Sequence, residues 1–118
     1  MTQKPFANHL GLRRKAETLR AVAHPARLAL LRALARGARC VSDLQKILGV
    51  SQPSLSQHLQ ALRRERIVDF CEDGNLRCYY IARPTLISAL CGLILREHKV
   101  VRRPPEEIRC EGRRRRRG

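Results

Sequence analysis

The sequence predicts a mainly α-helical fold with one small β-hairpin, an α+β domain, and three observations carry that expectation. Apolar residues recur at helical spacing in several separate stretches between residues 10 and 99. Two strand-like runs, 67–72 and 76–81, flank the turn signal Asp73-Gly74-Asn75. A short glycine-containing link, Gly49-Val50-Ser51, joins two of the helical stretches, the mark of a helix-turn-helix.

The elements follow in order. After a flexible leader over residues 1–9, Leu12, Ala16, Leu19 and Val22 give residues 10–22 an apolar side. Pro25 opens the next helix; Leu28, Leu31, Leu34 and Ala35 form its buried stripe, Arg27, Arg32 and Arg36 stay outside, and Gly37 ends it. Residues 41–48 have helical spacing and stop at Gly49. Ser51 then caps a helix with Pro53 in its first turn and an apolar stripe of Leu55, Leu59 and Leu62. The helix-turn-helix thus covers about 41–66 and the hairpin about 67–81. A turn on Gly74-Asn75 would set Cys71 opposite Cys78; a turn on Asp73-Gly74 would not. Pro84 begins a last helix through about Lys99, where Leu86, Ile87, Leu90, Cys91, Leu93 and Ile94 cover a wider arc than one small core needs. The domain ends near residue 100, and 101–118 reads as a basic flexible tail with Pro104-Pro105, Glu106-Glu107 and an arginine run.

A chain of 118 residues suffices for one domain with a limited core, so a dimer would bury more surface. Lys and Arg number 25 against 10 Asp and Glu, a formal charge of +15 that favours a polyanionic partner. The body of the chain stays strongly basic even without Arg113 to Arg117. Neither a long apolar segment nor the apolar core of a secretory signal is present, which predicts a cytoplasmic protein with no membrane partner. In a reducing compartment the five cysteines are then free thiols, metal ligands or redox switches rather than structural disulfides.

The second helix of the helix-turn-helix is built to read duplex DNA, because its leading side chains are short and polar while one face is anchored. Ser51, Gln52, Ser54, Ser56, Gln57 and His58 are the major-groove candidates, although His58 fits a structural hydrogen bond between helices equally well. Arg63, Arg64 and Arg66 are placed for phosphates, and Asn75 and Arg77 for the minor groove or neighbouring phosphates from the hairpin. A thiol enzyme is not expected: the histidines are scattered and no nucleophile motif surrounds any cysteine. RNA binding is less favoured, since the chain has only two Phe, two Tyr and no Trp for stacking.

Through Ala23-His24-Pro25-Ala26-Arg27-Leu28, Cys40-Val41-Ser42-Asp43-Leu44, residues 51–59 and Asp73-Gly74 through Tyr79-Tyr80, the chain resembles the ArsR/SmtB family of bacterial winged-helix repressors over roughly residues 13–98. The resemblance implies a winged helix-turn-helix, a homodimer through the first and last helices, and an inverted-repeat operator with half-sites roughly 10 base pairs apart or a multiple. Many members carry a Cys-Val-Cys-Asp-Leu metal box where this chain has Ser42 in place of the second thiol, so any soft-ion site must recruit a distant cysteine. The family's other zinc site, along the last helix, has only Glu97 and His98 to offer.

Two sensing schemes compete, the soft-ion scheme first and the sulfur switch as its alternative. In one, Cys40, Cys91 and Cys110 bind arsenite, antimonite or another soft metal ion and release the repressor from DNA. In the other, Cys40 and a later cysteine form a disulfide or polysulfide, as in persulfide-sensing relatives. Cys91 fits plain packing as well, and a sensory role for Cys71 and Cys78 is less favoured. No cofactor is expected to be required for folding.

Overall fold

The structure, a computed structural model, describes residues 11–117, and the leader lies outside the described residues. Among the described residues the elements run α1 (Leu12–Val22), α2 (Pro25–Leu34), β1 (Arg39–Cys40), α3 (Val41–Leu48), α4 (Gln52–Arg64), β2 (Val68–Asp73), β3 (Leu76–Ile81), α5 (Pro84–Ile94) and α6 (Pro105–Arg117).

Local chemistry sets most of these boundaries. His24 caps α2, its Nδ1 accepting from the Ala26 N–H at 3.0 Å, and Pro25 needs no partner for the amide hydrogen it lacks. Gly49 ends α3 in the left-handed region at φ 65°, its N–H donating to the Gln45 carbonyl. Ser51 Oγ accepts from the Ser54 N–H at 3.3 Å and starts α4. The other end of α4 closes with the Arg66 N–H on the Arg63 carbonyl and the Ile67 N–H on the Leu62 carbonyl, a Schellman closure. Its left-handed position, usually glycine, is Arg66 at φ 57°.

The predicted stripes supply most of one core, but not all of each: Ala35 of α2 is exposed while Leu30 and Ala33 are buried in its place, and of the α1 stripe only Val22 is buried. Leu30 and Leu31 of α2, Leu44 of α3, Leu55, Leu59 and Leu62 of α4, Val68 and Tyr79 of the hairpin and Ile87 and Cys91 of α5 are buried together. Thr18 on α1 donates to Glu65 at 3.2 Å and ties α1 to the end of α4.

The sheet has the order β1-β3-β2, all antiparallel. Asp73 pairs with Leu76, so the hairpin turns on Gly74-Asn75, with Gly74 at φ 62°. Cys71 consequently faces Cys78. β1 escapes sequence reading because two residues carry no periodicity; it pairs Arg39 with Tyr79 and Cys40 with Cys78, attaching the hairpin to the start of α3.

Two expectations are corrected. The last domain helix stops at Ile94, five residues short of Lys99. Arg96, Glu97, His98 and Lys99 have no apolar residue to bury, and the His98 imidazole turns back to the Leu93 carbonyl, which also accepts from the Arg96 N–H. The segment read as a flexible tail forms α6 instead. Pro105 starts it, Glu106 and Glu107 lie at its positive end and Arg114 to Arg117 at its negative end, and Arg103 bridges Glu107 and Glu111 across successive turns. None of its residues is buried, so these local charge effects hold it without a packed face.

Candidate nucleic-acid interface

Helix α4 buries Leu55, Leu59 and Leu62 completely or nearly so, which turns Gln52, Ser56, Gln57 and Gln60 outward as an exposed polar face. Beside it, α3, α4 and the hairpin enclose a cleft lined by Ser42, Gln45, Gln52, Ser56, Asn75 and Arg77, among others. Asn75 stands exposed at the hairpin tip. Gln52, Ser56 and Asn75 therefore present amides and a hydroxyl to one cleft, with Gln57 exposed on the adjoining surface of α4, groups that match base edges and phosphates.

The remaining predicted contacts divide differently. Ser51 uses its oxygen as the helix cap, and Ser54 is half-buried behind it. His58 lies at the contact between α2 and α4: its Nδ1 accepts from Arg27 Nε at 3.2 Å and its ring sits 4.5 Å from that of His24. Burial, His24 and Arg27 all hold the His58 imidazole below its ordinary pKa. His58 thus makes the hydrogen bond between helices that was one of its two expected roles. Arg63 and Arg77 are also engaged within the fold. Arg63 reaches Asp69 at 3.1 Å and Arg77 reaches Glu72 at 3.2 Å, and the two guanidinium groups lie 4.4 and 4.1 Å from the centre of the Phe70 ring. The Phe70 N–H and Arg63 together lower the Asp69 carboxyl below its usual range. These exposed pairs give each arginine a fixed direction at modest energetic cost, so either can be released to a phosphate.

A second concavity was not anticipated. Arg14 and Lys15 of α1 join Arg63, Arg64, Arg66 and Arg83 around it, with Glu65 and Asp69 among its other residues. Charge counting alone could not find it, because these cations are far apart in sequence and only the α1–α4 packing gathers them.

All five cysteines are free thiols. Cys40, Cys78 and Cys71 occupy neighbouring register positions across β1, β3 and β2. Cys40 Sγ also lies 3.3 Å from Asp43 Oδ2. Burial raises the Cys78 thiol above its ordinary pKa, with Cys40 and Cys71 adding to the effect. Cys91 stands apart, 6% exposed in the core on α5, and burial alone pushes its thiol up. Cys110 is exposed on α6. Among the described residues no group of three His, Cys, Asp or Glu is arranged to hold a metal ion, so the expected trio of Cys40, Cys91 and Cys110 is not gathered within the chain. No helix among the described residues is long and apolar enough to cross a membrane.

Comparison with known proteins agrees with this geometry. Residues 24–69 match the family described as bacterial regulatory protein, arsR family. The HTH-type transcriptional regulator Rv0081 of Mycobacterium tuberculosis is 39% identical over 77 residues, spanning 64% of this chain and 68% of that protein. Its crystal structure superposes with a TM-score of 0.66 at 36% identity, covering 73% of this chain and 86% of that one. The biofilm growth-associated repressor of Agrobacterium fabrum is 42% identical over 75 residues, 61% of this chain and 64% of that protein. The homodimeric winged helix-turn-helix DNA-binding domain of Mb0332 from Mycobacterium bovis has a TM-score of 0.63 at 25% identity, covering 86% of this chain and all of that one. With its helix-turn-helix on α3 and α4, its wing on β2 and β3 and these relatives, the chain belongs to the ArsR family of winged helix-turn-helix transcriptional regulators, which are DNA-binding proteins rather than enzymes.

Proposed function

We propose that this protein is a homodimeric repressor that binds an inverted-repeat operator in duplex DNA and is released through its cysteine thiols. The observation that carries the DNA reading is the exposed polar face of α4 standing beside the wing tip, with Gln52, Ser56 and Gln57 for base edges and Asn75 for the adjacent groove. Arg64 and Arg66, with Arg63 and Arg77 once released from their carboxylates, serve phosphates. Dimerisation is supported by apolar side chains that the single chain leaves uncovered: Leu19 on α1 is 55% exposed, and Leu93 and Ile94 on α5 are 55% and 58% exposed. These lie on the first and last domain helices, and the related Mb0332 domain is homodimeric.

For the inducer, the observation favours a two-thiol switch. Cys40 already has a thiol, Cys78, as its register partner. Arsenite or antimonite held by Cys40, Cys91 and Cys110 remains the competing scheme; it requires Cys91 to leave its packed position and Cys110 to reach back from α6. Fluorescence anisotropy of the reduced full chain on its promoter tests both readings. Tight, salt-sensitive binding to an inverted repeat over scrambled duplex and single-stranded RNA is expected, and equal binding to any duplex would refute operator recognition. Release by a polysulfide donor, reversed by dithiol, supports the switch; release by arsenite or cadmium supports the thiolate site instead.

A further inference from the structure

The three thiols of the sheet form a straight row with a single shared partner. Cys40 on β1, Cys78 on β3 and Cys71 on β2 are directly opposed in successive strands, so their side chains leave the same face, opposite the buried Tyr79. Directly opposed residues have Cα atoms about 4.5–5.5 Å apart, inside the roughly 4.4–6.8 Å window of a disulfide. The outer pair lies two strand spacings apart, about 9–10 Å, beyond any bridge without backbone movement. Cys40 and Cys71 can each bond to Cys78 and cannot bond to each other.

We propose that this row is a peroxide-driven disulfide relay, with Cys71 the entry thiol, Cys78 the pivot and Cys40 the terminus. The proposal rests on the thiol-released repressor reading and names its sensor. Cys71 is the exposed member, whereas Cys78 and Cys40 are half-buried, so a hydroperoxide reaches Cys71 first. Its thiolate attacks the O–O bond, giving a sulfenic acid and releasing the alcohol, or water from hydrogen peroxide. The Cys78 thiolate then attacks the Cys71 sulfur and displaces hydroxide, which leaves as water with the Cys78 proton. Two thiols lose two electrons to one peroxide, and one disulfide forms. The Cys40 thiolate next attacks the Cys78 sulfur and Cys71 departs as thiolate. Cys40 and Cys71 flank Cys78 from opposite strands, so the attacking thiol and the leaving thiol approach the central residue from opposite sides.

The exchange changes what is tied together. A Cys71–Cys78 bond joins strands of the same hairpin, but a Cys40–Cys78 bond joins the wing to the N-cap of α3. In the reduced protein that junction is the two-residue ladder of β1 on β3. Locking it removes the freedom of the wing to settle on phosphates while α4 occupies the groove, and DNA affinity falls about tenfold, within the usual range of coupling between sites.

Peptide mass mapping of the full chain tests the relay, after treatment with one equivalent of hydrogen peroxide and alkylation, with DNA anisotropy on the same samples. The expected products are Cys71–Cys78 early and Cys40–Cys78 late, with one thiol of the row always alkylated. Cys71→Ser should slow the formation of Cys40–Cys78 and Cys78→Ser should abolish both. A Cys40–Cys91 or Cys40–Cys71 bond, or intermolecular disulfides alone, would overturn the relay. Loss of DNA binding by peroxide in folded Cys78→Ser would do the same while leaving thiol release standing. Correct bonds with undiminished DNA binding would instead overturn the sensory role of the row and leave thiol release to the three-thiol soft-ion site.

Discussion

Replacing Arg66 by glycine should move stability and DNA affinity in opposite directions. Arg66 closes α4 at φ 57°, where a side chain beyond glycine costs about 1–2 kcal/mol. Glycine removes that cost but restores roughly 0.4–1 kcal/mol of backbone freedom to the unfolded chain, which offsets part of the gain. The net stabilisation is between about 0 and 1.6 kcal/mol, or up to roughly 8 °C in midpoint for a domain of this size. Arg66 is also exposed beside Arg63 and Arg64 in the basic concavity, so the same change removes one phosphate-seeking charge per subunit. The slope of log affinity against log salt should shrink by about 0.9 for each lost contact. Thermal unfolding and anisotropy at several salt concentrations read the two effects separately. Arg66→Ala is the control, because it loses the charge and keeps the left-handed cost: its DNA binding should match the glycine variant without the rise in midpoint. A lowered midpoint in the glycine variant would show that the arginine side chain, not the backbone closure, holds this junction. An unchanged salt slope in both variants would remove Arg66 from the phosphate contacts.

Three further outcomes are expected. The folded state holds the His58 pKa down, so the unfolded chain binds more protons as pH falls below about 6.5; stability should be full above that pH and decline below it, and chemical denaturation of His58→Gln should lose part of the slope. Leu93→Lys combined with Ile94→Lys places charges on the exposed apolar end of α5 and should convert a dimer to monomer in sedimentation while the monomer keeps its helical circular dichroism; an unchanged mass would move the dimer interface elsewhere. Removing Arg113 to Arg117 should reduce the salt dependence of DNA binding without changing the preferred site, and altered site preference would give α6 a part in base reading.

What was legible in the sequence is what local pattern and cap chemistry control. The stripes of α2 and α4, the stops at Gly49 and the starts at Ser51, Pro25 and Pro84 need only neighbours within a turn or two, and the core assembles from the predicted faces. The motif order also carried the family. Local reading overreached where an absence of packing had to decide the end of a helix, at Ile94, and where ion pairs ordered the supposed tail as α6. The sequence left the role of His58 open and showed Arg63 and Arg77 without partners because Arg27, Asp69 and Glu72 are brought to them by helix contacts and strand register rather than by chain proximity. The same holds for the thiols. The sequence by itself determined that five cysteines exist and that Cys40 starts the helix-turn-helix, whereas only the tertiary structure decided that Cys78 lies between Cys40 and Cys71, because a hairpin turn one residue earlier would have set Cys78 opposite Asp69 and left Cys71 a diagonal neighbour.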